Sequence, residues 1–152
     1  MLNNIIQDAA FADLMQNNIQ EMLIYLFENN KNFGVLCNIE DVVFEPELPE
    51  DIASSFHPMT LFFLAGYTFD TARIVEGDLI FEAGFGSDNF GSITTVPLLS
   101  IMQVIIDETP VLINLSTYKK NAQNVITKNN NEGVENSMNS FLSNPENSKF
   151  LK

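Results

Sequence analysis

The sequence predicts an α+β fold that is mainly β. An N-terminal helix leads into a small, strongly bent antiparallel sheet or partly open barrel, and a disordered C-terminal tail follows. Three observations predict it. Ile19, Met22, Leu23 and Leu26 recur at i, i+3, i+4 and i+7, the spacing of one apolar helix face. Between residues 33 and 115, short apolar runs rich in β-branched and aromatic residues alternate with Gly, Pro, Asn and Asp punctuation, as antiparallel strands do. From Thr117 to Lys152 the chain holds nine asparagines and few large apolar side chains, too little to offset the entropy of ordering. A domain over 1–116 and a flexible tail over 117–152 follow from this division.

Each element has its own signal. Ile5, Ile6, Ala9, Ala10 and Leu14 suit a first helical segment. A break is expected near Asn17, with Asn18 as N-cap and Glu21 three residues on in a capping box. The stretch ENNKNFG ends the helix. FGVLCNI and DVVFEPELP read as the first strands, the second stopped by its prolines. TLFFLAGY, the most apolar stretch, reads as the next. TARIV and LIFEAGF flank Gly77-Asp78 and predict a hairpin. SITTV is a further strand. Pro97 stands where a helix can begin, and Leu98, Ile101, Met102 and Ile105 have helical spacing, so a short helix is expected there. VLINL is the last of roughly five to seven strands.

Composition narrows the function. A chain of 152 residues with 45% apolar content is expected to form one domain with a real core. It has no run of eighteen apolar residues, so no membrane span is expected. Its first ten residues do not read as a secretory signal. Cys37 is the only cysteine, which excludes an internal disulfide and suits a reducing cytoplasm. Up to Ser116, Lys31 and Arg73 stand against seventeen carboxylates, a net of −15. Beyond it, five lysines stand against three glutamates, a net of +2, giving −13 for the whole chain. An acidic body repels phosphate backbones, which argues against nucleic acid and for neutral or cationic peptide partners.

Catalytic constellations are missing. His57 is the single histidine and precedes a proline in a loop-like stretch; Cys37 sits in a strand-like run as an apolar filler. The acid pairs Glu40-Asp41, Glu50-Asp51 and Asp107-Glu108 fall at element ends as solvated charges. GFGSDNFG lacks the spacing of a phosphate-binding loop and reads as a connection between strands. No metal-ligand spacing occurs, so neither metal nor cofactor is expected, and the chain does not read as an enzyme.

The remaining signal is apolar surface. In TLFFLAGY, alternation puts Leu61, Phe63, Ala65 and Tyr67 on one face and Phe62, Leu64 and Gly66 on the other. A strand apolar on both faces is either fully buried or covered on one face by another chain. The small residues Ala65, Gly66, Ala83 and Gly84 would let a peptide backbone approach. The candidate peptide groove is Leu64, Ala65, Tyr67, Ala83, Phe85 and Gly86.

LPEDIASSFHPMTLFF, GDLIFEAGFG and TTVPLLSIMQVI together resemble the SspB (stringent starvation protein B) family of bacterial protease adaptors. The resemblance rests on Leu48, Pro49, Met59, Thr60 and Leu61, on Phe81, Ala83, Phe85 and Gly86, and on Val96 and Pro97, and it covers about residues 18–115. It implies an Sm-like partly open barrel without catalysis of its own. It implies binding of the ssrA-type tags that the tmRNA system adds to stalled translation products. A homodimer through the N-terminal helix is implied, with Ile19, Met22, Leu23 and Leu26 shared between core and seam. So is docking of the tail tip, Lys149, Phe150, Leu151 and Lys152, on the N-terminal domain of the ClpX unfoldase. Ser148 departs from the leucine usual in that motif, and Phe150 from its aliphatic residue. The competing expectation is a small acidic dimeric secretion chaperone holding an effector segment; an RNA-binding Sm-like barrel stands behind it, against the acidic charge.

Overall fold

The computed structural model describes residues 1–118. The tail-tip residues Lys149, Phe150, Leu151 and Lys152, and the tail as a whole from residue 119, lie outside the described residues.

A one-turn helix α1 (Leu2–Ile6) precedes α2 (Ala9–Glu28), with Asp8 as the extended N-cap of α2. The helical break therefore falls at Gln7-Asp8, not near Asn17, and Asn18 is no N-cap. The Asn17 amide donates along the helix to Glu21 Oε2 at 3.4 Å, so Glu21 is engaged one turn back from itself rather than in a capping box. Two mid-helix asparagines cost only about 0.7 kcal/mol each. Ile19, Leu23 and Leu26 are fully buried, and each such burial contributes about 1.5–3 kcal/mol, which decides for a continuous helix. The helix ends with Asn30 in the left-handed region and the Lys31 amide donating back to the Leu26 carbonyl at 2.9 Å.

The rest of the chain is eight strands with short helices between them. In order these are β1 (Phe33–Asn38), a 3-10 turn (Ile39–Asp41), β2 (Val43–Glu45), α3 (Glu50–Ala53), β3 (Met59–Leu64), α4 (Tyr67–Thr71), β4 (Arg73–Val75), β5 (Asp78–Phe85), β6 (Phe90–Pro97), a second 3-10 turn (Leu98–Ser100), β7 (Ile101–Ile106) and β8 (Thr109–Ile113). They form two four-stranded antiparallel sheets, in the orders β3-β1-β7-β8 and β2-β6-β5-β4, that do not close into a barrel. The expected short helix after Pro97 is corrected to the 3-10 turn followed by a strand. Leu98, Ile101, Met102 and Ile105 have helical spacing, but the β-branched run Ile101–Ile106 pairs with β1 and β8 on both sides. TLFFLAGY also divides: the strand stops at Leu64, and Gly66, at φ 62°, turns the chain into α4.

One core joins both sheets and α2. Val35, Phe62, Leu64 and Val104 come from the first sheet, Leu79, Phe81 and Val96 from the second, and Ile19, Leu23 and Leu26 from the helix. Phe44, Phe56, Phe62, Phe81 and Phe85 extend it as an aromatic cluster, with Phe44 and Phe85 edge-on at 5.4 Å. Among the described residues no helix is long and apolar enough to cross a membrane.

Candidate functional site

The β4–β5 hairpin turns on Glu76 and Gly77, both at positive φ, the geometry of a two-residue turn matched to strand twist. β5 then runs antiparallel to β6 up to the pair Phe85–Phe90, closed by a four-residue loop. Counting back from that pair sets Gly84 opposite Gly91 and Ala83 opposite Ser92. Four small residues thus lie side by side on two neighbouring strands: Ala83 and Ser92 are buried on the inner face, and Gly84 and Gly91 are exposed on the other, with the Asn89 side chain over Gly84. They belong to an open cavity of about 740 Å³. Its walls are Glu45 and Pro46 at the end of β2, Ala65, Tyr67 and Thr68 at the β3–α4 turn, Glu82 on β5, Asn89 in the loop and Ile93 on β6.

The walls are fixed by side-chain hydroxyls. Thr68 Oγ1 accepts the Ala65 amide at 2.9 Å and closes the turn after β3. Thr71 Oγ1 accepts the Glu82 amide at 3.0 Å, which ties the end of α4 to β5. Ser92 Oγ donates to the Pro46 carbonyl at 2.9 Å and holds the end of β2 against β6. Tyr67 donates its phenol proton to Glu82 Oε1; that hydrogen bond, then the carboxylate charge, then desolvation hold the phenol pKa above its ordinary value. Glu82 is thereby fastened at its backbone by Thr71 and at its side chain by Tyr67. Among the described residues, Glu45 and Glu82 are the charged residues of the cavity, and no lysine or arginine lines it.

The six residues expected to line the groove are divided by the structure. Ala65, Tyr67 and Ala83 meet in this cavity. Leu64 does not: it is fully buried in the core, because its side of β3 faces the second sheet. Phe85 and Gly86 line a separate cavity of about 330 Å³ with Asp51, Ile52, Ser55 and Phe56. Of the four helix residues expected to be shared with a dimer seam, Ile19, Leu23 and Leu26 are taken up by the protomer's own core and Met22 packs against it. The exposed apolar residues of α2 are Leu14, Ile24 and Tyr25. Gly91, Ser92, Glu45 and Asn89 were not expected; the strand register around the GSDN loop carries the signal for the first two.

The other reactive side chains stand apart from the groove. Cys37 is buried, and burial followed by the charge of Asp41 pushes its thiol up to about 12. His57 is exposed in the loop before β3, where its carbonyl accepts from Thr60 Oγ1 at 2.6 Å. Among the described residues, no group of three or more His, Cys, Asp or Glu side chains is placed to hold a metal ion. Comparison of the chain with family models, with curated proteins and with solved structures finds no match.

Proposed function

We propose that the protein is a non-catalytic, cytoplasmic adaptor. It binds short degradation-tag peptides of the ssrA type in the 740 Å³ groove and delivers the tagged proteins to the ClpX unfoldase. One observation carries this reading. The groove is bordered by small residues, Ala83, Gly84, Gly91 and Ser92, of which Gly91 has open space above it, between walls held by hydroxyl hydrogen bonds. A border of small residues admits an extended backbone, and fixed walls spare the ordering cost of binding. The basic-apolar tail tip, Lys149 to Lys152, is the proposed ClpX hook, and 36 residues acting as a flexible linker would span roughly 30–35 Å. Tethering raises the local concentration of substrate without new contacts to it. A homodimer through the helix would use Leu14, Ile24 and Tyr25, the apolar residues that α2 leaves exposed.

The test is fluorescence anisotropy of a labelled tmRNA-tag peptide from the same organism, titrated with the full chain. Saturable binding that Ala83→Trp abolishes supports the reading. No binding at high micromolar protein, with the fold intact by circular dichroism, removes it.

A second reading, the acidic secretion chaperone, is favoured by the outer face of the first sheet. Leu61, Phe63 and Ile113 are exposed there, a surface that an effector segment would cover. Deleting Lys149 to Lys152 abolishes delivery by an adaptor and leaves a chaperone unaffected.

A further inference from the structure

The groove has a sign. Its two charged residues are carboxylates, Glu45 at the end of β2 and Glu82 on β5, and among the described residues no cation lines it to neutralise them. Tyr67 engages Glu82 through Oε1 alone, and among the described residues Oε2 has no hydrogen-bond partner. The Thr71–Glu82 amide bond and the Tyr67 phenol hold this carboxylate in position before any ligand arrives, so little side-chain freedom is lost when a donor meets it. On the same sheet, Ser92 fixes the end of β2, from which Glu45, paired with Ile93 as Glu82 is, borders the same cavity. The domain beyond the groove adds to the field, with two cations against seventeen carboxylates up to Ser116.

We propose that the groove selects a peptide bearing a lysine or arginine, whose cationic head docks on Glu82, with Glu45 two strands away across Ile93 on the same sheet adding to the field, while a small neighbouring residue of the peptide lies over Gly91. This rests on the peptide-binding reading and deepens it by naming the chemistry of the peptide. A free divalent cation is a poorer occupant, because among the described residues no third carboxylate, histidine or thiol joins the two glutamates. An acidic peptide is disfavoured by both carboxylates, and an uncharged one offers Glu82 no charge-assisted hydrogen bond.

The experiment is a matched peptide panel. Short labelled peptides based on the tag carry Lys, Met or Glu at each position in turn and are titrated against the full chain at low and at moderate salt. The wild type, Glu82→Gln and Glu82→Lys are compared, with thermal melts to show that all three fold. The expected result is one position at which Lys binds roughly tenfold better than Met, with Glu weaker still, and at which moderate salt narrows the gap. Glu82→Gln removes that preference without weakening the Met peptides, and Glu82→Lys reverses it towards Glu. If the wild type binds the panel with no position favouring Lys, or if Glu82→Gln leaves the preference intact, the charge assignment is overturned while peptide binding stands. If no peptide binds folded protein, the peptide-binding reading falls and takes this inference with it.

Discussion

The side chain of Asn89 lies directly over Gly84. A Cβ on residue 84 would overlap the Asn89 amide, so the absence of a side chain at Gly84 is what lets Asn89 close one end of the groove. Asn89 sits at φ 53°, a left-handed position that asparagine tolerates better than most residues. Gly84→Ala therefore has a local remedy: the amide swings away. Stability should fall by less than about 1 kcal/mol, while peptide affinity falls because Asn89 is driven into the groove. Asn89→Gly keeps the left-handed backbone and removes the obstacle, so the double variant should regain most of the lost affinity. Anisotropy titrations on the four members of this cycle measure the coupling, and additive losses would show that the two residues act separately.

Much of this arrangement is written in the sequence, but in different scripts. The β4–β5 hairpin is legible because Gly77 supplies turn chemistry between apolar runs, although the turn falls on Glu76-Gly77, one residue earlier than Gly77-Asp78, and Asp78 begins β5. The pairing of the small residues is legible too, once the loop Gly86–Asn89 sets the register, since each residue back from Phe85 fixes one forward from Phe90. The continuity of α2 was hidden because Asn17-Asn18 resembles a cap locally, and only tertiary burial of Ile19 and Leu23 overrides it. β7 was hidden because Ile101, Met102 and Ile105, with Leu98 just before the strand, have helical spacing, and only the pairing with β1 and β8 reveals the strand. The charge of the groove joins Glu45 to Glu82 across 37 positions through the β2–β6–β5 pairings, and no local pattern announces it.

Asp13 should make the fold sensitive to pH. Its side chain is 6% exposed on α2, Oδ2 has no hydrogen-bond partner among the described residues, and burial raises its pKa from 3.8 to about 6. The folded state thus prefers the protonated acid. Its favourable contribution is complete below about pH 4 and is lost as pH rises through 6. At neutral pH the buried charge should cost about 1–2 kcal/mol, allowing for solvent near the helix. Asp13→Asn should be more stable than wild type at pH 7 and level with it at pH 4. Urea midpoints across this range check it; a constant difference at all pH values would mean that ionisation of Asp13 is not the cause.

Asn114 should be among the least replaceable polar residues. It is buried, its Nδ2 donates to the carbonyls of Leu99 and Ile101 at 3.0 Å each, and its Oδ1 accepts the Ser116 amide at 2.8 Å. It locks the corner between the two sheets to the point from which residues 119–152 continue. Asn114→Leu removes the partners of three backbone groups at once, and the expected loss is about 3 kcal/mol or more. Asn114→Asp should fare no better, since a carboxylate cannot donate to the two carbonyls. Chemical denaturation with both variants tests this.

Phe62 and Phe63 are neighbours on β3 with opposite surroundings, and their truncations should separate the two faces of that strand. Phe62 is 7% exposed and stands edge-on to Phe44, Phe56, Phe81 and Phe85 at centroid distances between 5.8 and 6.4 Å. Phe62→Ala opens a cavity between the sheets and should cost about 3–5 kcal/mol. Phe63 is 60% exposed on the outer face beside Leu61, and Phe63→Ala should cost under about 1 kcal/mol. Denaturant melts of dilute protein measure both. A loss at Phe63 that approaches the loss at Phe62 and grows with protein concentration would show that a second chain covers this face, because only then does truncating an exposed ring remove buried area.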